Sequence, residues 1–260
     1  MSSELIFHDL TSQKWPSAWS PFTARTALCL NFLEITYRHN EISYPDIASV
    51  LPPLGVVPAP EDKDEEIQYT LPAVTFSDGT IMGSGAIADK LASISSDYDK
   101  KLFPQGQKSR DAVRKFEKEV MRPVARSLKL GPRVKAFVPL FLDQRGAAYF
   151  VRTREPDMGN LEKLREQVLE EEKEKGLQAH VEEAVVPVLE FYDGLEKEGD
   201  GVFAFGGKEP QYVDFVFVAL VQWWICCRGE QEIMAGLENV GGGRLASIIK
   251  GCVKLLQPTK

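Results

Sequence analysis

Ser20 stands directly before Pro21, at the point where "WPSAWSPFTARTALCLNFLEI" becomes a helix-spaced apolar pattern. Serine is a favoured N-cap because its side-chain oxygen accepts a bond from an orphan backbone N–H, and proline suits the first helical position. The same placement leaves a hydroxyl at the positive end of a helix dipole, where an anionic ligand atom is stabilised. A cap alone and an anion seat both stand on the residues themselves. Ser84, in "TIMGSGAIADKL", is a second serine at a strand-to-helix junction and reads as an N-cap. Pro72, in "YTLPAV", falls at the start of a strand, where the missing N–H costs no ladder bond; taken alone it is a trans proline at a strand edge.

The other residue types that carry chemistry offer less. His8 and His39 fall in strand-like runs and His180 near a helix start, none with a serine and a carboxylate partner in the sequence, so a serine hydrolase is unsupported. Cys29, Cys226, Cys227 and Cys252 sit in or beside apolar stretches without Cys-x-x-Cys or Cys/His metal spacing. They read as buried reduced thiols, and no metal is implied.

The elements that must position these residues change character along the chain. "ELIFHD" reads as a strand, the helix opened by Ser20 places Ala24, Leu28, Phe32 and Ile35 at helical spacing, and "ITYRHNEIS" reads as a second strand. "PDIASVLPPLGVVPAPEDKDEE" is broken by five prolines and predicts an irregular segment with at most a short helix. "LPAVTFSDGTIMG" is two short apolar runs joined by Ser77-Asp78-Gly79, a hairpin signal, and "SGAIADKLASI" closes the unit as a helix. The order is that of a small α/β layer. "SSDYDKKLFPQGQKS" reads as a polar linker.

From Ser109 onward the patterns are helical. "DAVRKFEKEVMRPVARSLKL", "VKAFVPLFLDQRGAAYFVRTRE" and "AHVEEAVVPVLEFYDGLEKEG" alternate apolar faces with charge. "VDFVFVALVQWWICCRG" is apolar nearly all round and predicts a helix at the centre of a bundle, while "EKLREQVLEEEKEKG" predicts a solvated face.

The 260 residues, 43% of them apolar, suffice for a substantial core without disulfides. A formal charge of −7 with no long basic block argues against a nucleic-acid partner and towards small molecules. The N-terminus has no basic flank or long apolar core, and no later segment is an uninterrupted apolar run of ~18 residues, so the expectation is a cytoplasmic protein without a membrane partner.

Beyond these patterns, the chain resembles the glutathione transferase superfamily over nearly its whole length. "AWSPFTARTALCLNF" is similar to the serine-Pro-aromatic-x-x-Arg opening of the first helix in etherase-related transferases. "EISYPDIASVLPPLGVVPAP", "YTLPAV", "LDQRGAAYFVRTRE" and "GGGRL" resemble further segments of the fungal branch of that group. The resemblance implies an α/β thioredoxin-like N-terminal domain over residues 1–97, followed by an all-α helical C-terminal domain over 104–260, in a homodimer. It implies glutathione as cosubstrate, with Ser20 donating to its sulfur and Ser17 as the fallback for that role. Leu71, turned outward by a cis Pro72, would pair with the cysteinyl amide, and Ser84 would hold the γ-glutamyl carboxylate. Gly83 stands where the family has an acidic residue, a departure that weakens the glutathione site. Asp214 resembles the aspartate of the family's buried helix-capping box, with Gln211 in place of the usual serine or threonine, and reads as structural. Trp15, Trp19, Phe22, Phe141, Tyr149 and Phe150 are candidates for lining an acceptor pocket between the domains. The implied activity is conjugation of glutathione to an electrophilic hydrophobic or aromatic compound, or displacement of an aryl ether. The alternative is a ligandin that binds aromatic or polyphenolic molecules with little catalysis. Disulfide reduction would need a cysteine where Ser20 stands.

Overall fold

The computed structural model of the chain describes residues 5–14, 18–58, 68–126 and 130–257. Trp15 and Ser17, both named above, lie outside the described residues. Four strands, β1 (Leu5–Leu10), β2 (Tyr37–Ile42), β3 (Ala73–Phe76) and β4 (Gly79–Met82), form one sheet in the order β2-β1-β3-β4. β1 and β2 are parallel, with Phe7 opposite His39, whereas β3 is antiparallel to both β1 and β4. Parallel neighbours need a crossover, which helix α1 (Pro21–Phe32) supplies, while β3 and β4 close through the expected turn at Ser77 and Asp78. Helix α3 (Ser84–Ile94) buries Ile87, Ala88, Leu91 and Ala92 and completes the layer.

Between β2 and β3 the prolines act as expected. The chain makes a 3-10 turn at Tyr44–Asp46, a single helical turn α2 (Ile47–Val50) and another 3-10 turn at Pro52–Leu54. The polar stretch after α3 is not a linker. It carries helix α4 (Ser96–Leu102), capped by the Ser95 hydroxyl, which accepts from Asp97 N at 3.1 Å. Asp97 and Asp99 in its first turn and Lys100 and Lys101 in its last complement the helix dipole, and Leu102 and Phe103 are buried. Polar composition concealed a helix anchored at its C-terminal end.

The remainder is helical. α5 (Gln107–Lys115) continues through a π-helical segment, Phe116–Met121, into α6 (Arg122–Arg126). The pattern over 134–155 predicts helix throughout, but the chain breaks. α7 (Gly131–Lys135) stops, a 3-10 turn at Val138–Leu140 contains Pro139, and α8 (Gln144–Met158) restarts on Asp143, whose carboxylate accepts from Arg145 N at 3.1 Å and Gly146 N at 3.0 Å. α9 (Leu161–Asp193) is two helices broken at Gly176, whose φ of 77° favours glycine.

The charged run at its start is mostly exposed, yet it is not wholly a solvated face. Glu172 is largely buried between Arg133 and Arg228, accepting at 3.3 Å from the first and 3.0 Å from the second, and Val168 is buried beside it. α10 (Tyr212–Arg228) is buried nearly all round and packs along α1, followed by α11 (Glu230–Asn239) and α12 (Arg244–Cys252). Among the described residues no helix is long and apolar enough to cross a membrane.

At the N-terminus of α10, Asp214 is fully buried. Its carboxylate accepts from Gln211 N at 2.9 Å, Ala204 N at 3.0 Å and the Tyr192 hydroxyl at 3.0 Å. Gln211 sends its own amide to Gln105 and to the Ala204 carbonyl. Burial nevertheless raises the Asp214 carboxyl to about 6 against these bonds.

Candidate active site

A cavity of about 650 Å³ opens between the sheet layer and the helices. From the sheet layer its wall takes Leu10 at the end of β1, Ser20 and Pro21 at the start of α1, and Tyr69, Thr70 and Leu71 just before β3. Ser20 is the N-cap of α1 with extended backbone (φ −70°, ψ 141°), and the residue is 5% exposed. Its hydroxyl oxygen accepts from Phe22 N only at 3.4 Å, a long contact, and among the described residues its hydrogen has no acceptor. The group is therefore buried, directed at a helix N-terminus and still able to donate.

The Leu71–Pro72 bond is cis. Gly83 N donates to the Pro72 carbonyl at 2.9 Å, and the pairing of Ala73 with Met82 holds the 83–84 junction beside it. Ser84 is not the N-cap of α3. It is the first helical residue, buried, and the cap is Gly83 at φ 95° and ψ 127°. The strand-to-helix turn here needs a positive φ, so glycine takes the position that side-chain chemistry alone would give to serine. Ser20 and Leu71 line the cavity; Pro72, Gly83 and Ser84 are gathered at the adjoining junction but are not among its lining residues.

Much of the rest of the lining is aromatic, with Trp19, Phe22, Tyr44, Tyr149, Phe150 and Trp223. Of the aromatic residues named from the sequence, Trp19, Phe22, Tyr149 and Phe150 line the cavity. Phe141 is not among the lining residues: it is buried against Trp19, with ring centroids 4.9 Å apart. Tyr44 stacks on Tyr149 at 5.8 Å and meets Phe150 at 5.9 Å. This pairing is fixed by bonds between α8 and the segment after β2, where Arg145 Nη2 donates to Asp46 at 2.6 Å and the Ser43 hydroxyl donates to Asp143 at 2.8 Å. Tyr44, Tyr69 and Trp223 were legible only as parts of a broken segment, a loop and a buried helix.

Charge enters from the helical side. Glu117 and Met121, on the π-helical segment, line the cavity and both contact Arg25, which is 1% exposed on α1. Arg25 pairs with Glu117, donates to Met121 Sδ at 3.1 Å and to the Pro21 carbonyl at 3.2 Å, and so ties the start of α1 to the helices. Arg122, Lys135 and Arg154 also line the cavity.

None of the histidines or cysteines belongs to the lining. His8 bonds Thr75 and Asn40 within the sheet, and His39 bonds Asp9 at 3.0 Å. His180 is buried on α9. Burial raises the thiol of Cys226 to about 12 and pushes Cys29, Cys227 and Cys252 up as well, so none is a ready thiolate.

Comparison with known proteins fits this geometry. A family model described as glutathione S-transferase, C-terminal domain, matches residues 112–255. The chain is similar to the glutathione S-transferase-like protein ustS of Aspergillus flavus, with 30% identity over 98% of this chain and 92% of that one. It is similar to a glutathione S-transferase of Ceriporiopsis subvermispora solved in complex with glutathione, with 25% identity, a TM-score of 0.76 and coverage of 99% of this chain and 100% of that one. The glutathione transferase GSTFuA3 of Phanerochaete chrysosporium is also similar, with 25% identity, a TM-score of 0.75 and full coverage of both chains. The architecture is a thioredoxin-like sheet domain followed by a helical domain.

Proposed function

The chain belongs to the glutathione S-transferase family, and we propose that it binds glutathione at the Ser20 end of the cavity and transfers its sulfur to an aromatic electrophile held at the other. The observation that carries this reading is the Ser20 hydroxyl, buried in the cavity wall at a helix N-terminus with one long contact among the described residues. A free thiol has a pKa of ~8.5, so only a few per cent is ionised near neutrality. A hydroxyl donating to sulfur, together with the α1 dipole, needs to supply only ~1.4 kcal/mol per pKa unit to make the thiolate the main species. Ser20 is a donor here and not a nucleophile.

In this reading the Leu71 main chain pairs with the cysteinyl amide, and the 83–84 junction receives the γ-glutamyl end. The thiolate attacks an electrophilic carbon, a sulfur–carbon bond forms, and the leaving group departs with its electron pair. Where the substrate is an aryl ether, the carbon–oxygen bond breaks and the aryloxide takes a proton from water. The reading includes a homodimer, which light scattering would report as twice the 29.1 kDa chain.

Gly83 favours a second reading, a ligandin that holds aromatic compounds with little catalysis, because the position lacks the carboxylate that the γ-glutamyl ammonium would meet. Titrating glutathione by calorimetry and measuring its conjugation to chlorodinitrobenzene and to a panel of aryl ethers separates the two. Binding with turnover that Ser20→Ala reduces at least tenfold supports the transferase. Tight binding of aromatic dyes without turnover, at any glutathione concentration, supports the ligandin.

A further inference from the structure

The described lining of the cavity carries net positive charge in a protein whose formal charge is −7. Of the charged side chains among the described lining, Arg122, Lys135 and Arg154 are cationic and Glu117 is acidic, and Glu117 is already paired with Arg25. Among the described residues Arg154 has no acidic partner. Its guanidinium stands 5.6 Å from the Phe150 ring centroid and donates only a long bond, 3.4 Å, to the Thr153 carbonyl of its own helix. The nearest acid along the chain, Glu155, is occupied with Asn160 Nδ2 and Leu161 N at 3.0 Å each. Arg122, exposed where α6 begins, has no ion-pair partner among the described residues.

An arginine without a carboxylate beside stacked aromatic rings presents a fork of donors that matches a planar anion. We propose that the aromatic part of the cavity selects an aromatic compound bearing an anionic group, a carboxylate or its equivalent, whose ring lies against Tyr44, Tyr149 and Phe150 while the anion meets Arg154, with Arg122 at the entrance. The Tyr44 hydroxyl fits the same role. Burial raises its pKa, the Arg154 charge opposes that rise, and the phenol remains a donor beside the guanidinium. The proposal deepens the reading above by naming its acceptor class and rests on that reading only for the assignment of the opposite end to glutathione.

The test compares two dyes of nearly the same shape, anilinonaphthalene sulfonate and its neutral parent N-phenylnaphthylamine, with and without saturating glutathione. Quenching of Trp19 and Trp223, which both line the cavity, reports binding independently of turnover. For Arg154→Gln the sulfonate should bind about tenfold more weakly, the loss of one charge-assisted contact. The neutral dye and glutathione should keep their affinities within about twofold. Adding Arg122→Gln should weaken the sulfonate further, and salt should weaken the sulfonate far more than the neutral dye in wild type. Thermal melts check that the variants fold, and Arg154→Lys, which keeps the charge, should retain most of the sulfonate affinity.

Equal losses for both dyes would reduce Arg154 to packing and overturn the proposal. So would a loss confined to glutathione, since the cation would then serve the tripeptide's glycyl carboxylate. A chain that never conjugates glutathione but discriminates the dyes in this way would defeat the transferase reading and leave the anion site standing.

Discussion

At the N-terminus of α10 the Asp214 carboxylate accepts three bonds, all from buried donors. At the N-terminus of α1 the Ser20 hydroxyl has, among the described residues, a single contact at 3.4 Å, and it faces a cavity. Both are polar side chains removed from bulk water at the positive end of a helix, so the difference lies in what surrounds them. The first is saturated by its own chain and holds α10 to the end of α9 and to the 203–206 turn. The second is incompletely satisfied, as expected of a group that completes its bonding with a ligand. Buried polarity alone therefore does not mark a site, nor does unused bonding capacity, which among the described residues the buried Thr26 hydroxyl and His180 ring also have away from the cavity; Ser20 joins that capacity to a cavity wall.

The strongest way to break this comparison is Asp214→Ala. It leaves two backbone N–H groups and the Tyr192 hydroxyl without their acceptor, and should lower unfolding stability by about 3 kcal/mol. The variant's turnover per folded molecule should change little, because Asp214 does not line the cavity. Urea unfolding with activity normalised to the folded fraction checks both halves. An active-site role for Asp214 would appear as lost turnover at full folding.

Next comes Gly83, where the structure refines an expectation. A Cβ there would meet nothing within 4 Å, so the cost of Gly83→Asp is that of φ 95° alone, about 1 kcal/mol of stability. That strain is common to the free and bound states and leaves affinity untouched. The new carboxylate should therefore tighten glutathione about ten- to hundredfold while the melt falls. Calorimetry showing unchanged affinity in a folded variant would mean that another group already receives the γ-glutamyl ammonium.

Ser20→Ala sharpens the other side. It should reduce kcat/KM at neutral pH about tenfold, or ~1.4 kcal/mol. The deficit should shrink as pH rises towards ~8.5, where the free thiol ionises unaided. A deficit constant with pH would assign Ser20 to positioning.

The smallest effect is a pH dependence. The folded pKa of about 6 at Asp214 exceeds the ~3.9 of an unfolded aspartate, so between these values the native state holds a proton that the unfolded state has released. Stability from this group therefore rises as pH falls from about 7 towards about 4, by about 1 kcal/mol between pH 7 and 5. Asp214→Ala should lack that gain.

How much of this was legible beforehand differs by element. The strands, α1, the hairpin and α3 follow from period, prolines and turn residues, which act over a few positions. α4 was concealed because a short helix can be polar on most of its surface and be held by Leu102 and Phe103 at one end. The break before α8 was concealed because helical periodicity continued across Pro139.

The helix start at Ser20 and the strand-to-helix junction at Gly83 and Ser84 were legible because they are local events, whereas a role for them and for Pro72 towards glutathione came only from the family resemblance. Gly83 as the cap of α3 in place of Ser84 required the backbone angle. How the cavity lining is assembled depended wholly on tertiary structure. Tyr44, Glu117, Arg154 and Trp223 come from four separate segments. No pattern within one segment records that a bond between Arg145 and Asp46 helps bring two of them together. Sequence determined which helix ends could hold charge, through backbone dipoles and capping chemistry that act within a turn. The fold alone decided which of those ends face a cavity, because that depends on packing between residues far apart in the chain.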